Sequence, residues 1–406
     1  MAEPLLRMLV YGCHNPPETF LDRLFSGLEA RGVEVTLAST GAPRATEMSQ
    51  RKHWIWAPHA VGGKVTQGIK LAAVASAAAR RSWSATARMV RGASGVGTAA
   101  AVELLRALPL VGRTFDVVYF PWIESAGGLI RHFPAEQKII VSCRGTQINI
   151  APLNPQRRRF RESLKSIFER AACVHCVSEN IRENAERLGM PPQIARVIRP
   201  AVDSAQFSMQ AHCKRVDGSV LKIVTTGRII WNKGLEYLVH AVAILRESGI
   251  DARLEIIGDG PDRDRVVYSA HDLEIEDHVQ FSGALPPTQV RDRLQQADVF
   301  ALSSLSEGIS NAVLEAMSCG LPIVTTDCGG MREAVTDGVE GFVTPTRDPR
   351  AIAAALCKLA ASHELRHSMG AAARLRIERE FTLPRQIDAW MNMLSEVAAG
   401  KSHASP

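Results

Sequence analysis

The chain has 406 residues, a formal net charge of +6 and 8 scattered cysteines. That length suits two domains of roughly 150–200 residues, each with its own core, and unpatterned cysteines are typical of reduced thiols. The longest apolar run, Leu71–Ala79, is short of the roughly 18 residues of a membrane span, and residues 1–12 lack the features of a secretory signal, so the sequence predicts a folded cytoplasmic protein.

The first half of the chain alternates short apolar strands with amphipathic helices. A strand at Leu6–Tyr11, a helix from about Phe20 to Arg31 and a strand at Val33–Ala38 predict a βαβ opening. Its first turn lacks the pattern G-x-G-x-x-G, so a nicotinamide or flavin site is not indicated. Further strands are predicted at Asp116–Phe120, Lys138–Ser142, Ala172–Val177 and Gln193–Ile198. We assign residues 1–203 to the first domain.

Two basic stretches interrupt this half. An alanine-rich, helical sequence from Gly68 to Arg91 carries four arginines, and the run from Gln156 to Arg161 reads Q-R-R-R-F-R. Such clusters attract phosphates, anionic lipid or nucleic acid; solvated helix faces are the alternative interpretation. No zinc-finger, bZIP or RNP pattern accompanies them, so nucleic acid is not predicted as a partner, whereas peripheral contact with the inner membrane stays open.

From Leu221 the alternation becomes regular and predicts a doubly wound parallel sheet. Its strands are predicted at Leu221–Thr226, Arg253–Ile257, His278–Phe281, Val299–Ser303, Ile323–Thr326 and Gly341–Val343. We assign residues 204–383 to this second domain. The last segment, 384–406, contains a helix that we expect to cross back to the first domain.

The loops that follow parallel strands meet at one edge of a sheet. This edge would carry Arg228 and Lys233 after one strand, and Glu307 and Glu315 after another. Two positive charges beside two carboxylates suit a nucleoside diphosphate-sugar. The glycines that would let backbone amides approach a bulky anion are Gly308, Gly329 and Gly330.

Two patterns resemble metal sites but have simpler interpretations. Cys173-x-x-Cys176 lies inside a predicted strand, and no second pair follows at zinc spacing. Asp262-x-Asp264 opens a predicted helix, where acidic residues favour the helix dipole. We therefore expect neither a metal nor a cofactor.

The paired-acid motif Glu307-Gly-Ile-Ser-Asn-Ala-Val-Leu-Glu315, with Gly227-Arg228, Lys233-Gly234 and Ile257-Gly-Asp-Gly-Pro261, resembles the family 4 retaining glycosyltransferases. The resemblance is close over about 221–345 and loose in the first half. It implies an α/β protein with the GT-B fold, in which two Rossmann-like doubly wound domains face a deep cleft.

By this resemblance the catalytic groups would be Arg228 and Lys233, which hold the diphosphate, and Glu307, which contacts the sugar. Glu315 would bind the ribose. The other implied donor-binding residues are Gly227, Leu285, Gly308, Ile309, Ser310 and Asn311. On the acceptor side the resemblance implies Glu18 and Arg144, the latter in place of a histidine that many members carry.

The expected activity is transfer of a hexosyl or N-acetylhexosaminyl group from a UDP- or GDP-sugar, with retention and without a metal. The acceptor would be a glycan or a lipid-linked molecule in polysaccharide biosynthesis. A sugar-nucleotide epimerase or a phosphorylase would share the fold, although a phosphorylase would need a cofactor lysine and a longer chain. A non-catalytic subunit that binds a nucleotide-sugar is the remaining alternative.

Overall fold

A computed structural model describes residues 6–13, 17–39, 54–56, 64–84, 86, 106–209 and 220–400. The chain divides into two compact units. The first consists of Met1–Cys176, Arg182–Ile198 and Ile387–Pro406, and the second of Val177–Ile181 and Arg199–Gln386. The main part of the second unit thus begins at Arg199, whereas the sequence predicts the boundary after residue 203.

The described part of the first unit contains a seven-stranded sheet in the order β3-β2-β1-β4-β5-β6-β7. Every neighbouring pair of strands is parallel. In chain order the strands are β1 (Leu6–Tyr11), β2 (Val33–Ser39), β3 (Trp54–Trp56), β4 (Val117–Phe120), β5 (Lys138–Cys143), β6 (Cys173–Cys176) and β7 (Ala195–Val197). The short edge strand β3 was not predicted.

In sequence, helices lie between the strands of this unit. Those described are α1 (Thr19–Ala30), α2 (Lys64–Arg81), α3 (Ile123–Ala126), α4 (Gly145–Asn149), α5 (Arg158–Arg170) and α6 (Glu179–Arg187, whose first three residues belong to the second unit). In α1 the buried residues follow the 3.6-residue repeat of a helix, at Leu21, Leu24, Phe25 and Leu28. Helix α4 replaces the loop expected after β5. Residues 87–105, which include the end of the long predicted helix, lie outside the described residues.

A chain of polar side chains crosses the core of the first unit. The Tyr119 hydroxyl lies 2.8 Å from Ser142 Oγ, and Ser142 Oγ lies 2.6 Å from His175 Nδ1. His175 Nε2 lies 2.9 Å from the carbonyl oxygen of Ile198. That carbonyl can only accept, so Nε2 donates. Because burial keeps the imidazole neutral, Nδ1 accepts from Ser142 Oγ. Burial first, and the nearby Arg144 charge second, lower the pKa of His175 to about 3.

Because the pKa of His175 is lowered in the folded state, we expect the protein to lose stability in mild acid. Its pKa is 6.5 when unfolded and about 3 when folded, so between these values the unfolded chain binds the extra proton. The stability that the neutral histidine contributes is fully present above pH 6.5 and falls as the pH is lowered. At pH 4.5 we expect a loss of roughly 2–3 kcal/mol in the free energy of unfolding. Urea titrations of the native chain and His175→Gln should show the steeper pH dependence in the native chain; equal slopes would contradict this assignment.

The described part of the second unit contains a six-stranded parallel sheet in the order β10-β9-β8-β11-β12-β13. Its strands are β8 (Leu221–Thr226), β9 (Ala252–Ile257), β10 (Val279–Gly283), β11 (Val299–Leu302), β12 (Ile323–Thr326) and β13 (Gly341–Thr344). Alternate residues of one strand enter different cores: Ile223 joins one apolar cluster and Val224 the other. The sheet is therefore covered on both faces, as predicted.

Helices cover both of these faces. They are α7 (Leu235–Glu247), α8 (Arg263–Asp272), α9 (Pro287–Gln296), α10 (Asn311–Ser318), α11 (Met331–Ala334), α12 (Pro349–Ala361) and α13 (His363–Glu380). The last helix, α14 (Leu383–Ala398), belongs to the first unit from Ile387 onward. Across the described ranges, we find no helix with the length and apolarity to cross a membrane.

Candidate functional site

The loop that follows β8 presents the first predicted positive charge. Ile229 is buried and anchors this loop, while Arg228 beside it is exposed. A single 3-10 turn, Trp231–Lys233, then leads through Gly234 into α7. The Arg228 side chain has no hydrogen bond or ion pair with the residues that the structure describes. Its guanidinium is therefore available to a ligand.

The second predicted positive charge is paired with the first predicted acid. Lys233 Nζ lies 2.5 Å from Glu307 Oε1, although 74 residues separate them in sequence. Ser304 Oγ donates to the same oxygen at 2.7 Å. The Lys233 and Glu307 side chains are only 21% and 13% exposed, so water screens the pair weakly. Loops after two adjacent strands, β8 and β11, thus join their charges.

Gly329 and Gly330 bring two loops of the second unit into direct contact. Gly329 has a φ of +58°, and a Cβ there would lie 1.9 Å from the carbonyl oxygen of Glu307. The Gly330 N–H donates to the carbonyl of Gly308 at 2.7 Å. These glycines therefore let the loop after β12 pack directly on the backbone that carries Glu307. The approach of these glycines to a bulky anion, which the sequence predicts, stays a prediction.

Helix α10 begins directly after the Glu307 loop. Ser310 occupies the N-cap position, and its side chain makes no capping hydrogen bond. Asn311 Oδ1 is buried and has no hydrogen-bond partner among the described residues. Ile309 is buried under the loop, and Glu315, further along α10, is partly exposed. The helix start thus keeps N–H groups that a ligand oxygen can reach.

Two residues that the sequence analysis did not single out complete the surroundings of Glu307. One is Ser304, whose hydroxyl was described above. The other is Cys328, whose pKa is raised to about 12, first by burial and then by the negative charge of Glu307. Its thiol stays protonated at neutral pH, so Cys328 places a small uncharged side chain near Glu307. A lone Ser or Cys carries no periodic signal, so only the fold could identify them.

The acid pattern at Asp262 has a structural use. Asp262 Oδ2 accepts a hydrogen bond from the Trp231 N–H at 2.6 Å, which holds the loop containing Arg228 and Lys233. Within the described ranges, no group of three or more His, Cys, Asp or Glu side chains is arranged to hold a metal. Of the two acids in this pattern, Asp262 therefore has a structural role in holding the loop backbone.

The remaining donor-side residues border this region of the second unit. Gly227 directly precedes Arg228 and is exposed. Leu285, after β10, is half-buried against one core of the sheet. The hydroxyl of Ser282, which lies in β10 just before this loop, donates to Glu255 Oε1 at 2.5 Å and so fixes the end of the strand.

The predicted acceptor-side residues lie in the first unit. The Glu18 carbonyl accepts hydrogen bonds from the first turn of α1. The Arg144 guanidinium lies 4.6 Å from the Phe20 ring centroid and 5.2 Å from that of Trp122. Its Nε donates to the Pro121 carbonyl at 3.1 Å. Two aromatic faces and one carbonyl therefore hold Arg144 in place.

Comparison with known proteins gives matches along most of the chain. Residues 17–206 match the family described as Glycosyltransferase Family 4, and residues 214–376 match Glycosyl transferases group 1. Among solved structures, Anabaena HepE in complex with UDP and glucose superposes with a TM-score of 0.72 at 16% identity. That superposition covers 96% of this chain and 100% of HepE. At such low identity it concerns the fold alone.

Two relatives are similar in sequence to more than half of this chain. WcaL of Salmonella typhimurium, named for colanic acid biosynthesis, is 29% identical over 229 residues, or 55% of this chain and 56% of WcaL. A GDP-mannose-dependent phosphatidylinositol monomannoside mannosyltransferase of Mycolicibacterium smegmatis is 29% identical over 251 residues, or 59% of this chain and 65% of that enzyme. The matched segment thus spans between about half and two thirds of these relatives. The expected fold is confirmed, and the chain belongs to family 4 of the glycosyltransferases, with the two-domain GT-B fold.

Proposed function

We propose that this chain transfers a sugar from a UDP- or GDP-sugar to a glycan or lipid-linked acceptor, with retention of configuration and without a metal. The observation that carries the proposal is the arrangement at the ends of β8 and β11. There Arg228, which has no hydrogen bond or ion pair among the described residues, lies in the same loop as Lys233, the cation of the Lys233–Glu307 ion pair. A diphosphate needs positive charge and a sugar needs hydrogen-bond acceptors, and this corner supplies both.

The charges suggest how the diphosphate is neutralised. Arg228 and Lys233 together offer two fixed positive charges, which supply electrostatically what a metal supplies in other nucleotide-sugar enzymes. The uncapped start of α10 adds backbone N–H groups and the positive end of a helix dipole. As the bond to the sugar breaks, negative charge grows on the departing phosphate. These groups stabilise that charge without having to move.

The state of Glu307 supports front-side attack. Its Oε1 already accepts hydrogen bonds from Lys233 and Ser304. A carboxylate stabilised in this way is a weak nucleophile but a good acceptor for sugar hydroxyls. We therefore assign it to positioning the sugar while the departing phosphate oxygen takes the acceptor's proton. The acceptor oxygen forms its bond on the face that the phosphate leaves, so configuration is retained.

The relatives support both candidate nucleotides and both acceptor classes. The HepE structure contains UDP, and the mycobacterial relative is named for GDP-mannose and a phosphatidylinositol acceptor. WcaL is named for a polysaccharide. Transfer of a hexosyl or an N-acetylhexosaminyl group is compatible with the same diphosphate site, because both kinds of donor carry the same diphosphate.

The proposal is tested by a calorimetric binding screen of nucleoside diphosphates and their sugars, with Mg²⁺ and with EDTA. We expect UDP or GDP to bind, with the same affinity under both conditions. A transfer assay on the purified chain then follows, using the sugar form that binds. Absence of binding by every nucleoside diphosphate would refute the proposal, and strict dependence on Mg²⁺ would refute its metal-free part.

Replacing Glu315 by alanine is expected to weaken nucleotide binding by roughly 1.5–3 kcal/mol, as for a lost charged hydrogen bond. The reason is its proposed contact with the ribose hydroxyls. Glu247→Ala is the matched control, since Glu247 is an exposed acid at the end of a helix in the same unit. Calorimetry should show the loss only in Glu315→Ala. Equal affinities for the two variants would remove Glu315 from the site.

A further inference from the structure

The first unit contains a basic groove that the proposed donor site does not use. This groove has a volume of about 760 Å³ and lies between α5 and the segment that follows β4. Four arginines line it, with a single acid, Glu124, among the lining residues. The arginines are Arg131, Arg157, Arg159 and Arg170. The volume is in the range of small-molecule sites, which are usually lined by apolar side chains. Here the lining is cationic.

The sequence of α5 explains how the groove forms. Its buried residues, Leu164, Ile167 and Phe168, face the core. The groove-lining residues follow a separate stripe with steps of four, three and four residues, which is the spacing of one helix face. This stripe consists of Arg159, Ser163, Ser166 and Arg170. One face of the helix thus builds core while another builds a polar groove along its whole length.

The arginines differ in what holds them. Arg170 Nη1 donates to the Gln137 carbonyl at 3.1 Å, and Arg170 also contacts the Pro134 carbonyl, so it is fixed without losing its charge. Arg157 pairs with Glu124 at 2.7 Å. Arg159 has no hydrogen bond or ion pair with any residue in the described ranges. The groove therefore keeps positive charge that Glu124 alone does not neutralise.

We propose that this groove binds a phosphate-bearing ligand, at a site separate from the donor site of the second unit. Arginine guanidinium groups match phosphate oxygens with paired N–H donors. The Ser163 and Ser166 hydroxyls on the same stripe donate to the carbonyls of Phe160 and Ser163, so the arginines supply the donors for a phosphate. A soluble phosphate ester and a lipid phosphate headgroup share this chemistry. The two sources differ only in whether the phosphate is presented at a surface.

Replacing Glu124 is expected to change the phosphate affinity in the opposite direction to replacing the arginines. Its carboxylate occupies Arg157 in the absence of ligand, so it competes with an incoming phosphate for the same guanidinium. Glu124→Gln removes the competing charge and is expected to tighten phosphate binding by about threefold to fivefold, the value of one surface charge. Arg157→Gln and Arg159→Gln are each expected to weaken it by about the same factor.

The control is Arg161→Gln. Arg161 lies on the same helix, and its substitution changes the net charge equally, but it does not line the groove. All variants are made in a chain carrying Arg228→Gln and Lys233→Gln, so that the donor site contributes no phosphate binding. Circular dichroism confirms that each variant is folded. This design separates a local site from the general attraction of a basic protein for anions.

Two probes distinguish the sources of phosphate. Calorimetry with glycerol 3-phosphate tests a soluble ester, and cosedimentation with vesicles of phosphatidylglycerol in phosphatidylcholine tests a headgroup. The proposal holds if either probe binds and its affinity falls with Arg157→Gln and Arg159→Gln but rises with Glu124→Gln. It is overturned if neither probe binds, or if Arg161→Gln changes the affinity as much as Arg159→Gln does.

Discussion

Replacing Lys233 by methionine is expected to lower kcat/KM for the nucleotide-sugar by about 100- to 1000-fold, the usual cost of one charge-stabilising group in the transition state. Methionine keeps the apolar stem of the side chain and removes only the charge. Lys233 would otherwise stabilise the departing diphosphate and hold Glu307 in position. Steady-state kinetics with the sugar form identified by the binding screen would measure the loss.

The control for this variant is Lys222→Met, because Lys222 is an exposed lysine in β8 and does not border the site. It should keep its activity. Lys233→Met also leaves the Glu307 carboxylate without its lysine, so thermal stability should fall. Adding Glu307→Gln should recover part of the stability and none of the activity. Recovery of both would mean that the ion pair is structural and that Lys233 does not touch the diphosphate.

Gly329→Ala is expected to lower the free energy of unfolding by about 3 kcal/mol. Roughly 1–2 kcal/mol comes from placing a side chain at a positive φ, and the rest from backbone that must shift to relieve crowding. The new Cβ would lie 1.9 Å from the Glu307 carbonyl oxygen. The shift would therefore displace Glu307 itself, and turnover should fall with stability. Denaturant unfolding and kinetics measure the two effects.

Gly338→Ala separates the two causes. Gly338 has a φ of +80°, but a Cβ there would have no neighbour within 4 Å. This variant should show the conformational cost alone and retain its activity. If the two alanine variants were equally stable and equally active, the packing of the Gly329 loop on Glu307 would have no energetic weight.

The sheets could be predicted because their strands are apolar on both faces. A strand such as Val299-Phe-Ala-Leu302 is buried throughout, so it forms a short continuous apolar run between turns. Strand β3 has only three residues, Trp54-Ile-Trp56, and a loop is predicted at α4 because Gly145-Thr-Gln-Ile-Asn149 has no helical repeat. Short elements of this kind form because their neighbours fix them, and local sequence does not record that.

The candidate site was predictable by residue type but not by pairing. Arg228, Lys233, Glu307 and Glu315 stood out because they follow successive strands. That Lys233 pairs with Glu307 while Arg228 has no partner among the described residues depends on a contact across 74 positions, for which no local pattern exists. The packing of Gly329 on the Glu307 backbone could not be predicted for the same reason. A glycine that faces a ligand and one that faces another loop look alike in sequence.

The C-terminal helix has a consequence for the order in which the first unit assembles. Trp390 of α14 is fully buried, with its ring centroid 4.9 Å from that of Tyr119 and 4.8 Å from that of His175. The core that these three side chains share therefore remains open to water until residues near 390 have been synthesised. The second unit is encoded between the two parts of the first, so it can mature earlier on the ribosome. The segment that begins the chain is among the last to finish folding.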